Sequence, residues 1–304
     1  MKVLLRFDAS AALARKVSSL SQGGIEVACC PESEDAAYDA LLPEADVLWH
    51  VLKPVDAAQV ARAARLRLIQ KIGSGVNTID LEAARRRGIA VCNLPGTNSR
   101  AVAEMALLLM LACLRRLPDL DRSVRQSRWR DAWLLQDGLG ELGGRSVGLV
   151  GYGAVPQLLS PMLLAMNATV RYWSRSRKDI ELDALVSSSD IVSLHVPLTP
   201  ETQGFLDPRK MKPGSILVNT ARGGLVNEQA LVEALRSGHL AAAGLDVFGA
   251  EPLPADHALL ALPNVVLAPH LAWLTQETLE RSLAVALENV RRLASGAALL
   301  HRVA

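Results

Sequence analysis

Short apolar runs alternate with stretches of helical periodicity along almost the whole chain, and this alternation most restricts how it can fold. Runs over residues 2–7, 25–29, 46–50, 68–72 and 90–92 have strand length and few charges, and 11–20, 57–64 and 81–87 between them look helical. Such runs suit strands buried on both faces of a parallel sheet, with helices as crossovers. A second series follows at 146–150, 168–173, 190–194, 215–218, 242–247 and 265–267. The two series predict α/β architecture: two flavodoxin/Rossmann-like domains with parallel sheets and the active site in the cleft between them.

With 304 residues the chain exceeds what one core usually covers. Pro95-Gly96-Thr97-Asn98-Ser99 is a turn with several N-cap candidates, and it leads into a long apolar helix over 101–117. The domain boundary is placed there. A last helix over 275–293 can return to the first domain, which predicts a first domain of 1–96 plus 275–304 and a second of 97–274.

Half of the residues are hydrophobic and only 4% are aromatic, so Ala, Leu, Val and Ile must build the cores. A net charge of +2 argues for neither nucleic acid nor membrane as a partner. Arg85-Arg86-Arg87 and Arg115-Arg116 fall near expected helix ends, where they suit the helix dipole. Cys29, Cys30, Cys92 and Cys113 have neither metal-type nor CxxC spacing and read as buried thiols of a reducing compartment. The first seven residues read as a strand rather than a signal peptide. The 101–117 segment contains Glu104, Arg115 and Arg116 and is short for a membrane span. A cytoplasmic protein is expected.

Strand 146–150 runs into Gly151-Tyr152-Gly153-Ala154-Val155-Pro156. Gly151 allows a tight turn, and Gly153 lets backbone approach a pyrophosphate. The N–H groups of Ala154 and Val155 would hold the phosphates at the start of a helix. Gly-x-Gly alone is weak; its place at the opening strand of a six-strand series strengthens it. Pro156 stands where the third glycine of the fingerprint is usual, and Pro161 lies deeper, where proline costs about 3 kcal/mol. A kinked or displaced helix is therefore expected. The second strand ends in Trp173-Ser174-Arg175-Ser176-Arg177, without the acid that usually binds the ribose of NAD. Ser174, Arg175 and Arg177 suit a 2′-phosphate, so NADP(H) is expected to be preferred, with NAD(H) as the alternative. A basic solvated loop is the plainer reading of the same residues.

Three polar residues follow apolar runs of the second series: Arg222 in Asn219-Thr220-Ala221-Arg222-Gly223-Gly224, Glu251 before Pro252, and His270 after Pro269. Singly they read as a loop arginine, an acid at a helix start and a core histidine. Jointly, at successive strand ends of one sheet, a cation, an acid and an imidazole fit carboxylate recognition with proton transfer.

These segments resemble the D-isomer-specific 2-hydroxyacid dehydrogenases, a family that includes glyoxylate/hydroxypyruvate reductases, D-lactate dehydrogenases and phosphoglycerate dehydrogenases. The resemblance takes in Gly244-Leu245-Asp246-Val247, His195-Val196-Pro197-Leu198-Thr199-Pro200-Glu201-Thr202, Lys71-Ile72-Gly73-Ser74-Gly75-Val76-Asn77 and Ala101-Val102-Ala103-Glu104. It implies that Arg222 binds the substrate carboxylate and polarises the C2 carbonyl, that His270 protonates the carbonyl oxygen, and that Glu251 fixes the His270 tautomer. It implies that the Ser74, Gly75 and Val76 amides hold the other carboxylate oxygen. Asp246 would anchor the nicotinamide amide, and the backbone at Val196 and Thr220 would line the ring, with Tyr152, Thr202 and Ala221 in the same cofactor set. Leu52 would shape a small or apolar substituent pocket. Trp273 would either roof the substrate or pack at an interface. The expected substrate is a small 2-oxo acid such as glyoxylate or hydroxypyruvate, reduced to the D-2-hydroxy acid, and the expected assembly is a homodimer involving the 101–117 helix. A catalytically weak dinucleotide-sensing protein of the same fold is the alternative. A formate oxidase is weighed against by Glu251, because formate needs no proton transfer at a carbon-bound oxygen.

Overall fold

The structure is a computed structural model, and it describes residues 1–176 and 180–304. Arg177, expected in the cofactor set, lies outside the described residues. The chain divides into two compact units, Met1–Asn98 with Thr275–Ala304, and Ser99–Leu274. The first division falls between Asn98 and Ser99, where a helix begins, rather than after Gly96.

In the first unit, β1 (Lys2–Arg6), β2 (Glu26–Cys30), β3 (Val47–His50), β4 (Leu68–Lys71) and β5 (Ala90–Cys92) form a parallel sheet in the order β2-β1-β3-β4-β5. This is the flavodoxin order, whose direction of winding reverses between β1 and β3. Every residue of β3 and β4 is buried, as expected for central parallel strands. Helices α1 (Ala11–Ser18), α2 (Asp35–Leu41), α3 (Ala57–Arg62) and α4 (Leu81–Arg86) connect them. The sequence pattern did not show α2, because it is short and buries one side chain, Tyr38. The Tyr38 ring carries the buried Arg6 guanidinium 3.7 Å from its centroid. The C-terminal helix Gln276–Ser295 is tied to β4 by a buried hydrogen bond, Asn289 Nδ2 to Gln70 Oε1 at 2.7 Å.

The second unit opens with α5 (Ser99–Arg115) and α6 (Leu117–Arg125). The expected 101–117 helix is thus cut at Arg116, which is left-handed at φ 49°. Pro118 falls in the first turn of α6, where a missing N–H breaks no helical bond. There follow β6 (Ser146–Val150), α7 (Ala154–Ala165), β7 (Thr169–Trp173), α8 (Leu182–Ser188), β8 (Ile191–Leu194), β9 (Ser215–Asn219), α9 (Glu228–Arg236), β10 (Leu240–Leu245) and β11 (Val265–Leu267). Their sheet is parallel in the order β11-β10-β9-β8-β6-β7, so winding reverses between β6 and β8. The β10 strand starts and ends two residues before the expected 242–247, which leaves Asp246 just beyond it. The α7 helix is continuous from Ala154 to Ala165 with Pro161 inside it. Proline at 161 deprives the Gln157 carbonyl of its helical donor, and Gln157 is an exposed residue.

Cys30, Cys92 and Cys113 are buried and Cys29 is half-buried, all unpaired. Burial pushes the Cys92 thiol up to about 11 and the Cys113 thiol up to about 12, so neither is a ready nucleophile. No helix among the described residues is long and apolar enough to cross a membrane.

Candidate active site

The second unit gathers its chemistry at the carboxyl ends of β6 to β11. At β9, Asn219 Oδ1 accepts the Ala221 N–H at 3.0 Å and its amide donates to the Arg222 carbonyl at 2.9 Å, closing a tight turn. Arg222 donates from Nη1 to the Ala221 carbonyl at 2.5 Å. Burial draws its guanidinium below the ordinary range while the Glu251 charge opposes that; an arginine stays charged throughout. The Thr220 hydroxyl beside it is buried without a partner among the described residues.

Beyond β10, Glu251 accepts the Phe248 N–H at 3.0 Å on one oxygen and meets His270 Nδ1 at 2.6 Å with the other. Burial pushes the Glu251 carboxyl up, but the bond and charge of His270, the Phe248 N–H and Arg222 outweigh it. The carboxyl ends below its ordinary value of 4.5. His270 itself is left-handed at φ 57°, a conformation that costs a non-glycine residue of order 1–3 kcal/mol and recurs at functional sites. Asp246 holds it there. The Asp246 carbonyl accepts the His270 N–H at 2.8 Å, and its two carboxylate oxygens accept the Leu271 and Ala272 N–H groups at 2.9 Å each. Asp246 is fully buried, and that burial raises its carboxyl. In this structure Asp246 thus braces the histidine turn, a task that its sequence position does not reveal. Trp273, next along, is buried at 7% exposure.

At β6, Gly151 turns at φ 101°, and a Cβ there would stand 2.5 Å from the His195 carbonyl oxygen. Gly153 caps α7 with no side-chain cap, and a Cβ on it would meet nothing within 4 Å. The Ala154 and Val155 N–H groups belong to the first turn of α7, which has no helical acceptor for them, and a helix N-terminus of this kind fits a phosphate. Pro156 is the third helical residue, so its missing N–H removes only a group that the helix leaves unpaired. Tyr152 stacks on Tyr172 at 3.7 Å between centroids, which fixes the turn against β7. Ser174 bonds Ser176 at 3.2 Å between hydroxyls, and Arg175 is exposed. The Thr202 hydroxyl donates to the Pro197 carbonyl at 2.8 Å and accepts the Thr199 N–H at 2.8 Å, so it closes the turn after Val196. Burial pushes His195 down to about 4, so its ring is neutral.

Residues 107–272 match the family described as "D-isomer specific 2-hydroxyacid dehydrogenase, NAD binding domain". A glyoxylate reductase of Aeropyrum pernix is 41% identical over 85% of this chain and 84% of its own length. A D-3-phosphoglycerate dehydrogenase of Mycobacterium tuberculosis is 40% identical over 84% of this chain, which spans only about half (51%) of that enzyme. Among solved structures, an NAD-dependent formate dehydrogenase of Staphylococcus aureus in complex with NAD is 28% identical, with a TM-score of 0.90 over 100% of this chain and 99% of its own. The chain belongs to the D-isomer-specific 2-hydroxyacid dehydrogenase family.

In this family member the first unit carries the remaining expected residues. Ser74, Gly75 and Val76 follow β4, and none of their N–H groups donates to an acceptor among the described residues. Successive backbone N–H groups of a turn can form an anion-binding concavity. The Ser74 hydroxyl and carbonyl are used instead to hold the loop, through Leu94 and Asn93. Leu52 follows β3, and its N–H donates to Glu32 at 3.2 Å.

Sequence reasoning missed a second acid–imidazole pair in the second unit, Glu228 with His257. Glu228 reads from sequence as an acid in the first turn of a helix, which the dipole alone would explain. No signal in the chain joins it to a histidine 29 residues away.

Proposed function

We propose that this chain reduces a small 2-oxo acid, of the glyoxylate or hydroxypyruvate kind, to the D-2-hydroxy acid with a nicotinamide dinucleotide, NADPH in preference to NADH. The observation that carries the reading is the 2.6 Å contact of Glu251 with His270 in the same unit as the half-buried Arg222. With Nδ1 held by Glu251, the His270 Nε2 is left to give a proton to the carbonyl oxygen, and the Glu251 charge steadies the ring while it carries that proton. Arg222 supplies a planar set of donors suited to a carboxylate. The Ser74, Gly75 and Val76 N–H groups and Leu52 are the substrate-binding contribution proposed for the first unit. The bound nicotinamide would supply the hydride. Gly151, Gly153 and the first turn of α7 would hold its pyrophosphate, with Thr220, Ala221 and Val196 toward the ring and Ser174 and Arg175 toward the ribose. Glu251 favours a 2-oxo acid over formate, since only the former needs a proton at oxygen.

Purified protein with NADPH or NADH and a panel of glyoxylate, hydroxypyruvate, pyruvate and formate tests this. Turnover is expected with the first two and fastest with NADPH; no turnover with any member overturns the reading, and tight cofactor binding without turnover favours a sensing role. Ser174→Asp restores an acid at the end of β7. It is expected to move the NADPH-to-NADH ratio of kcat/KM toward NADH by about tenfold or more, the worth of a single charged hydrogen bond.

A homodimer belongs to the same proposal. Leu108, Trp129, Trp133 and Leu134 are 52%, 63%, 69% and 78% exposed along the segment from α5 to β6, more apolar surface than a solvated face needs. Light scattering is expected to give twice the chain mass, and Trp133→Asp to shift it toward the monomer; a monomeric parent at micromolar concentration refutes the assembly.

A further inference from the structure

Glu228 is the first residue of α9, yet its carboxylate does not serve its own helix, whose cap is Asn227. Both oxygens reach outward. Oε2 accepts the Gly249 N–H at 3.0 Å, and Oε1 meets His257 Nε2 at 3.0 Å. The His257 tautomer follows from its other side. Its Nδ1 accepts the Leu259 N–H at 3.3 Å, so it bears no proton, and the proton on Nε2 is donated to Glu228. Gly249 and His257 stand at the two ends of the loop that carries Glu251. One carboxylate thus bridges both ends of that loop, while the loop's third anchor is the Phe248 N–H on Glu251 itself. The bridge is half-buried, with 32% and 20% of the two side chains exposed, so water does not replace it freely.

We propose that Glu228 and His257 are positioning residues for the catalytic pair: the Glu228 carboxylate, fed by the Gly249 N–H and by a neutral His257, fixes the loop that presents Glu251 to His270. The proposal rests on the dehydrogenase reading of that site and adds two residues which touch neither substrate nor cofactor. Without an acceptor at 228 the loop keeps its ends but loses what holds them together. Glu251 then drifts from His270, and a displacement of about 1 Å in a catalytic contact costs up to about 10²-fold in rate. The acid–base behaviour of Glu251 reports the same event. The groups facing it are His270, Arg222, Asp246 and the Phe248 N–H, and loosening the loop weakens the hydrogen bonds that lower its carboxyl.

The test uses the full chain. Glu228→Gln keeps one acceptor oxygen and puts an amide where a second acceptor was. It is expected to lower kcat for 2-oxo acid reduction about 10- to 100-fold with little change in KM. The acid limb of the pH–rate profile is expected to move up toward the ordinary carboxylate range, and the Gly249 amide to lose hydrogen-exchange protection. His257→Leu is expected to match it, and His257→Gln, which keeps an N–H for Glu228, to recover most of the loss. A folded Glu228→Gln protein with parental kcat and acid limb overturns the proposal, whatever its exchange rates, because a merely structural tie would soften the loop without moving either. If the parent shows no turnover, the dehydrogenase reading is what has failed. The positioning claim is then judged on the Glu251 carboxyl titrated by NMR, which must rise in Glu228→Gln and overturns the claim if it does not.

Discussion

Replacing His270 with glutamine is expected to lower kcat for 2-oxo acid reduction by about 10²- to 10⁴-fold, the range that a positioned general acid supplies. Glutamine fills similar space and can still donate one hydrogen bond to Glu251, so the loop and the cofactor turn are expected to survive. Binding of NADPH, followed by its fluorescence, should match the parent. The companion change Glu251→Gln separates the two roles. Glutamine there cannot carry the charge that steadies a protonated ring, so kcat falls while the fold persists. The pH profiles carry the sign. The Glu251 carboxyl lies below its ordinary 4.5 in the folded protein, so it binds protons less readily folded than unfolded. Its contribution to stability is therefore complete above that ordinary value and is lost as pH falls through the lowered one. The parent is expected to lose activity on the same limb, and Glu251→Gln to lack that limb. A His270→Gln protein that turns over at the parental rate would sink the proton-transfer role.

Much of the architecture was legible because parallel strands buried on both faces must be continuously apolar. Every expected strand is present, with ends shifted by at most two residues among those described. What escaped notice has particular causes. Helix α2 buries a single side chain, so seven residues give almost no periodicity. The break at Arg116 depends on one left-handed residue that is neither glycine nor asparagine, the residues that usually mark such a turn. Pro161 lies inside a continuous α7, and the residue whose carbonyl it strips of a donor, Gln157, is exposed. The site followed the same division. Arg222, Glu251 and His270 were visible because each ends an apolar run. The bracing of the His270 turn by Asp246, the closing of a turn by Thr202, and the Glu228–His257 bridge were not. Each depends on which backbone N–H groups a side chain meets after folding, and one-dimensional spacing does not encode that.

Gly223→Ala is expected to be the most damaging single-methyl change in the second unit. A Cβ at 223 would stand 1.9 Å from the Phe248 carbonyl carbon, 2.1 Å from its oxygen and 2.5 Å from the Gly249 nitrogen. All three are backbone atoms, so no side-chain rotation relieves the overlap. Either the Arg222 turn or the loop bearing Glu251 must move, and both hold groups of the proposed catalytic set. Forcing extra volume into a packed site typically costs about 1–3 kcal/mol and occasionally more, and backbone contacts this short belong at the upper end. The melting temperature is expected to fall by several degrees, and kcat by at least about 10²-fold, the scale of a 1 Å misplacement. The neighbouring glycine provides the control. A Cβ at 224 would meet Gln203 Oε1 at 3.0 Å and Leu198 Cδ2 at 3.1 Å, the far ends of side chains that can shift by a few tenths of an ångström. Gly224→Ala should therefore keep most of the activity and stability that Gly223→Ala loses. Equal damage from both would mean that glycine is needed here for chain flexibility, and that close packing of the Arg222 turn on the Phe248–Gly249 peptide does not set the geometry of the site.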